Sequence, residues 1–263
     1  MFAAGAVTSI VGGAHRNVLG GLPPGYQARW VLGDLSKIWQ DNAGTTPVAS
    51  NNDPVNKVED VSGNGFHLYG SGAPGGIGAT YKNTLGDSGT LGGCYLDASL
   101  DQRLYTASLI NSSNQTTYYI WLKILAGDDA TFLARADSTS GSAREYMYYA
   151  SPPAGDALVT RGGFSSAGVV GQYPTAAYGL VCLTIDHNER HTYLDDMSTP
   201  TKSATNGLDM SLDNYLMLNA YYMNATAYGG TISVLEVILY DTAHSFSLRN
   251  RVRAYGTATY GTP

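Results

Sequence analysis

Carboxylates are the first groups in this chain that could do chemistry. The sequence holds 17 Asp and four Glu, the latter at Glu59, Glu145, Glu189 and Glu236. Glycoside hydrolysis with retention needs two carboxyl groups about 5–5.5 Å apart. On a strand that means residues two apart, because side chains alternate between faces. None of the four glutamates has a carboxylate two residues away. Asp128-Asp129 and Asp195-Asp196 are adjacent pairs that a strand would split between faces, so they read as turn residues. The expectation is a chain without catalytic residues, not an enzyme.

Other chemistries fare no better. His187 and His191 have the four-residue spacing of a zinc pair, but that geometry requires a helix. Here Asp186–Arg190 reads as a polar turn between two strands. Gly75-Gly76, Gly92-Gly93 and Gly162-Gly163 form no nucleotide-cradling loop, and no Gly-x-Ser-x-Gly elbow occurs. Cys94 and Cys182 lie in apolar, strand-like settings and read as two buried thiols. Aromatic side chains are the remaining resource, with 20 Tyr against 5 Phe. Tyr146 and Tyr148 share a strand face, and Tyr221, Tyr222 and Tyr228 crowd a loop. These five are candidates either for stacking on sugar rings or for a protein interface.

The elements that position these groups are strands. Only 14% of the 263 residues are charged and Gly is raised at 32, against about 25% charged in an average globular protein. Asp, Gly and Asn suit turns, whereas Glu and Lys suit helix surfaces. A net charge of −6 argues against nucleic acid, whose phosphates need clustered Lys and Arg. The one basic cluster, Arg249, Arg251 and Arg253, is too small to change that. No apolar run approaches the roughly 20 residues that span a bilayer, so membrane insertion is not expected.

Residues 1–29 form a compositional zone of small and apolar residues ending in Gly20-Gly-Leu-Pro-Pro-Gly25, which breaks regular structure. We read it as an arm that orders against a neighbour, with Val7, Ile10, Val11, Val18, Leu19 and Leu22 as its anchoring residues. Residues 30–263 read as one domain. Asp34 is placed to cap a short helix over 35–40. Thr116–Ile124 alternates, with Tyr118, Ile120, Leu122 and Ile124 on one face. Thr131–Arg135 and Glu145–Tyr149 read as a hairpin. Thr231–Tyr240 is long and apolar enough to be a central strand buried on both sides. A second short helix is expected over 246–254, ended by Gly256. Many strands, frequent turns and little helix predict an all-β, two-sheet antiparallel jelly-roll sandwich.

Two stretches carry a resemblance. Asp34-Leu-Ser-Lys-Ile-Trp-Gln-Asp-Asn-Ala-Gly-Thr-Thr-Pro-Val48 and Val58-Glu-Asp-Val-Ser-Gly-Asn-Gly-Phe-His-Leu68 resemble the opening of laminin-G-like, concanavalin A-type sandwich domains of bacteriophage structural proteins. Tyr118–Lys123, Leu183–Asp195 and Gly229–Asp241 are similar to later strands of that family, in the same order. Asp195-Asp196 departs from the family's usual Asp-Gly.

The resemblance implies a virion component: a capsid decoration, head fibre or head appendage, or a minor tail component. It would be assembled in the host cytoplasm, self-associated, and docked on capsid, neck or tail proteins. Related glucanases use a Glu-x-Asp-x-x-Glu run that is absent here. Some relatives hold Ca²⁺ through loop aspartates, for which Asp97, Asp101, Asp209 and Asp213 are candidates. They fit no fixed loop spacing such as that of the EF-hand. No other cofactor is expected. The alternative reading is a carbohydrate-binding module that adheres to host glycans.

Overall fold

The computed structural model describes residues 21–70, 78–85, 89–110, 115–126, 130–136, 143–150, 157–162, 168–172, 178–187, 189–205, 215–220 and 230–261. Among them the chain first forms β1 Tyr26–Val31, β2 Ile38–Trp39, β3 Pro54–Val55, β4 Lys57–Val58, β5 Leu68–Gly70 and β6 Ala79–Leu85. Then come β7 Leu91–Asp97, β8 Leu104–Thr106, β9 Gln115–Ala126, β10 Ala130–Ala136, β11 Ala143–Ala150 and β12 Ala157–Gly162. The last strands are β13 Gly168–Gln172, β14 Gly179–Asp186, β15 Glu189–Leu194, β16 Lys202–Thr205, β17 Tyr215–Leu218 and β18 Thr231–Tyr240. One helix, α1, closes the set at Phe246–Tyr260.

The strands make two antiparallel sheets. The first runs β16-β15-β14-β9-β18-β7-β6-β3, with β1 also paired to β18; the second runs β13-β12-β11-β10-β17-β8-β5-β4-β2. Strand β18 is central, as its apolar run predicts, and nine of its ten residues are buried. One edge of it pairs with β7 along Thr231–Val234 and with β1 along Glu236–Tyr240. Between the sheets, Trp30, Ile38, Val58, Leu68, Leu96 and Leu104 pack with Tyr118, Ile120, Leu122 and Ile124. The face predicted for β9 is therefore the core face.

Several expectations change. The helix expected over 35–40 is instead a turn at Leu35-Ser36 and strand β2. Asp34 Oδ1 does accept from the Ser36 amide at 3.0 Å, but the backbone beyond it is taken by sheet partners. Ile38 O accepts from Val48 N, and Trp39 pairs with Lys57. So short a segment makes a poor isolated helix, and Ile and Trp suit a strand.

The C-terminal helix, expected over 246–254, runs on to Tyr260, with Gly261 rather than Gly256 at its end, where φ is 70°. Gly256 lies within the helix because a Cβ there would fall 2.3 Å from Trp121 Nε1. It is a point of close approach between α1 and the sheet. Strand β1 begins at Tyr26, inside the zone 1–29. Leu22 packs against the cluster beneath α1, and Pro23 O accepts from Tyr240 Oη at 2.9 Å. Val7, Ile10, Val11, Val18 and Leu19 lie outside the described residues.

Candidate functional site: the two outer sheet faces

Over β9, β14 and β18 the outer face of the first sheet is closed by α1. Tyr119, Trp121, Leu180, Cys182, Leu235, Ile238 and Tyr240 form a second apolar cluster with Val252 of α1. A bulge in β18 shifts its register against β9 between Val234 and Glu236. Leu235 and Glu236 consequently both face the helix, and Glu236 becomes a carboxylate with no exposed surface. Arg29 Nε meets it at 2.6 Å, and Arg29 Nη2 donates to Tyr255 Oη at 2.8 Å. The Tyr255 and Tyr260 hydroxyls both donate to Glu236 Oε2. Burial is the largest single influence on Arg29 and would lower its pKa, but the Glu236 charge and hydrogen bond together with the Tyr255 and Tyr260 hydroxyls outweigh it and hold the guanidinium above its ordinary range. Burial and the same carboxylate push both phenols up, so they remain donors.

A second buried network lies at the start of α1. The Tyr119 hydroxyl pairs with His244 Nδ1 at 2.8 Å, and His244 N donates to Thr117 Oγ1. Arg249 donates to the carbonyls of His244 and Met197 and stacks 4.0 Å over the Tyr193 ring. Burial, aided by the Arg249 charge, lowers the imidazole from 6.5 to about 4. Burial pushes the nearby Cys182 thiol up to about 12. Cys94 and Cys182 are free and buried. Both networks are inward-facing and join helix to sheet.

The outer face of the second sheet is different. Strand registers place Trp39, Lys57, Tyr69, Tyr105 and Met217 in one row across β2, β4, β5, β8 and β17. Their chain neighbours Ile38, Val58, Leu68, Leu104 and Leu218 all point into the core, so alternation turns the row outward. Trp39, Lys57, Tyr69 and Tyr105 are half-buried. Met217, next in the row, is buried yet belongs to neither apolar cluster.

Beside the row, Glu59 accepts from Trp39 Nε1 at 3.1 Å and sits 3.4 Å from Lys37 Nζ and 3.9 Å from Lys57 Nζ. His67 stands edge-on to Tyr69, with ring centroids 6.3 Å apart. The result is a strip of rings rimmed by fixed charges. Such a strip can stack on a flat apolar face while polar groups hydrogen-bond around it.

The two stretches that carry the family resemblance build the loops at one border of this strip. Asp41 accepts from Thr45 N, Thr45 Oγ1 and Thr46 N, around Gly44 at φ 75°. These hydrogen bonds hold the exposed Asp41 carboxyl below its ordinary range. Asp60 accepts from the amides of Arg29, Ser62 and Phe66 and from Ser62 Oγ. The turn passes through Gly63 and Gly65 at φ 90° and 81°, a conformation that costs other residues more. Trp30 Nε1 then donates to Phe66 O at 2.7 Å. Both stretches thus encode loop geometry.

The aromatics singled out from sequence fall unevenly. Tyr146 lies in β11, opposite Ala134 of β10, and Ala134 is itself opposite Met217; backbone register therefore extends the row to Tyr146. Tyr148 is in the same strand. The side chains of both, and all of Tyr221, Tyr222 and Tyr228, lie outside the described residues.

Trp39, Tyr69 and Tyr105 were not singled out, although the alternation Phe66-His67-Leu68-Tyr69 signalled outward positions for His67 and Tyr69. Asp97 caps the 3-10 turn Ala98–Leu100, accepting from Ser99 N. Asp209 and Asp213 lie outside the described residues. His187 pairs with Asp186, while His191 pairs with Ser203 and Glu189. Among the described residues no three His, Cys, Asp or Glu side chains gather where a metal could bind. Asp195 takes φ 54° and accepts from Leu180 N.

The fold defines an all-β, two-sheet antiparallel sandwich. No protein-family model and no curated protein matches the chain. Among solved structures, it is similar to an arabinofuranosidase complexed with arabinofuranosyl-alpha-1,2-xylobiose. The TM-score is 0.61 and the identity 12%, over 79% of this chain and 51% of that one. It is similar to the binding domain of Paraclostridial Mosquitocidal Protein 1, with a TM-score of 0.57 and 12% identity over 79% and 53% of the two chains. Domain 4 of AbnA, a GH43 extracellular arabinanase from Geobacillus stearothermophilus, in complex with arabinotriose, is also similar. There the TM-score is 0.51 and the identity 18%, over 73% of this chain and 91% of that one.

At such identities the likeness concerns the fold, and the chain spans about half the length of the first two. One expectation is overturned. The prediction that the protein is not an enzyme rested on missing carboxylate spacing, yet the same sandwich forms part of a glycosidase. Spacing along one strand does not capture acids that a fold gathers from separate strands or from loops.

Proposed function

We propose that the protein binds carbohydrate on the outer face of its second sheet, with Trp39, Tyr69 and Tyr105 as the stacking platform. The observation that carries this reading is the row of half-buried rings on one face, with Lys57 among them and Glu59 and His67 beside them. Rings held in place by a sheet lose little conformational freedom on binding, which favours recognition of weakly interacting sugars. The likeness to a domain solved with arabinotriose supports the same reading. Titration calorimetry with arabinotriose and a glycan array on purified protein test it. Binding should be lost in Tyr69→Ala and Tyr105→Ala proteins that melt like the wild type. Binding that survives both changes, or no binding to any glycan, rejects the reading.

A second reading concerns where the platform is displayed. The Asp34–Val48 and Val58–Leu68 stretches resemble bacteriophage structural proteins, which supports a virion role as a capsid decoration, head appendage or minor tail component. In that role the N-terminal arm would dock on other virion proteins and copies would self-associate. Immunogold labelling of purified particles should mark one position on the head, neck or tail. Unlabelled particles would reject this placement without touching the carbohydrate reading.

A further inference from the structure

A second row runs beside the rings, and it is polar. Strand β2 pairs with β4 so that Trp39 faces Lys57, and Glu59 N donates to Lys37 O at 2.7 Å. Lys37 and Glu59 therefore stand abreast, two residues along from Trp39 and Lys57 and on the same face. Strand β4 pairs Lys57 with Tyr69 and Val58 with Leu68. The same register carried one residue further brings His67 beside Glu59. Lys37, Glu59 and His67 thus form a line parallel to Trp39, Lys57 and Tyr69, about 6.6 Å away along the strands.

This line is open to solvent: the Lys37 side chain is 41% exposed and that of Glu59 25%. A carboxylate offers about four acceptor sites. Among the described residues Glu59 fills two of them, Oε1 with Trp39 Nε1 at 3.1 Å and Oε2 with Lys37 Nζ at 3.4 Å. Lys57 Nζ, 3.9 Å from Oε1, adds charge at a distance too long for a hydrogen bond. Three neighbours hold the carboxylate in place, yet each oxygen keeps room for another donor. The contact with Trp39 sets this acceptor at the edge of the stacking surface. At the other end of the line the Asp60 amide donates to His67 Nδ1 at 3.0 Å. Nδ1 is then the acceptor, and the neutral ring carries its proton on Nε2 as a donor.

We propose that the bound sugar is neutral and is recognised through two adjacent ring hydroxyls, which donate to the two oxygens of Glu59 while the ring lies against the aromatic row. Lys37 Nζ and His67 Nε2 donate to neighbouring sugar oxygens. A vicinal diol fits because its two donors match the two acceptor atoms of one planar group. Hydrogen bonds to a charged acceptor are about twice as strong as neutral ones, and an acceptor already fixed loses little freedom on binding. An anionic sugar fits worse: both lysines are directed at Glu59, whose own charge it would meet.

This inference rests on the carbohydrate reading and is separable from it. Calorimetry would compare arabinotriose, xylotriose and galactotriose with their fully O-methylated forms, which keep the rings but lack hydroxyl donors, and with trigalacturonate. At least one parent trisaccharide should bind the wild type ten-fold or more tightly than its methylated form and than trigalacturonate. In Glu59→Gln the parent should weaken ten-fold or more and the gap to its methylated form should close. Glu189→Gln, the same charge change on the first sheet, should leave both affinities unchanged, and thermal melts would confirm that both variants fold.

A carboxylate that only holds Trp39 in place would weaken parent and methylated sugars alike. That outcome, a gap kept in Glu59→Gln, or tightest binding to trigalacturonate would overturn the inference and leave the platform standing. No binding to any of these sugars would overturn the inference, and a silent glycan array besides would overturn both.

Discussion

The two outer faces of this sandwich are built from the same kind of strand and end in opposite states. On the first sheet, alternation turns Tyr119, Trp121, Leu180, Cys182 and Ile238 outward, and α1 covers them. Its buried carboxylate is matched, with Glu236 receiving Arg29, Tyr255 and Tyr260. On the second sheet, alternation turns Trp39, Lys57, Tyr69 and Tyr105 outward, and they stay half-buried. One face spends its rings on packing; the other keeps them available. What separates a sealed layer from a more open one is therefore the outward half of each alternating strand and whether a helix covers it.

The contrast can be broken most severely at Glu236. Replacing Glu236 by Ala strands Arg29 beneath the helix, and loss of one partner of a buried pair costs about 3–5 kcal/mol. A large fall in the urea midpoint is expected. Glu236→Gln, which keeps the shape and some hydrogen bonds, should cost less. Deleting residues 1–29 removes Arg29 and four of the six residues of β1 and should be comparably damaging. Deleting 1–20 should leave the melting temperature near that of the full chain.

A smaller effect is expected at Gly256→Ala. The added methyl would press on Trp121, and overpacking of this kind costs about 1–3 kcal/mol. Differential scanning calorimetry would show it as a lowered Tm.

The acid limb of stability probes the network around His244. Its folded pKa of about 4 lies below the ordinary 6.5, so between those values the unfolded chain binds the extra proton. Stability should therefore fall as pH drops through that window and be unaffected by this group above it. His244→Asn should flatten the difference in Tm between pH 7 and pH 4.5.

The smallest stability effects belong to the open face. Tyr69→Ala and Tyr105→Ala should move stability by less than about 1 kcal/mol, yet weaken glycan binding at least ten-fold, or about 1.4 kcal/mol. Equal losses of stability and binding would mean that these rings only pack.

Much of the scaffold was legible because strand alternation is a local property. Tyr118, Ile120, Leu122 and Ile124 lie on the core face of β9 as their spacing predicts, and Thr231–Tyr240 is the central strand. The segment 35–40 misled because an Asp cap suggests a helix, whereas the partners that make it a strand, Lys57 and Val58, lie about twenty residues on. Gly256 misled in the opposite sense: a helix-ending residue by type, it is kept inside α1 by Trp121, 135 positions earlier. The candidate site was read only in fragments. Tyr146 and Tyr148 were chosen as a same-face pair within one strand, while Trp39, Tyr69 and Tyr105 come from three strands, and only pairing shows that they share a row.

Sequence by itself determined the all-β character, the core stripes and the buried thiols, since each depends on residues near one another in the chain. Tertiary structure alone decided which sheet face is sealed, where Glu236 and Arg29 meet, and that Lys37, Glu59 and His67 line up beside the aromatic row. Those outcomes depend on register and on contacts between residues as far as 207 positions apart, and no local pattern records which strand will lie beside which.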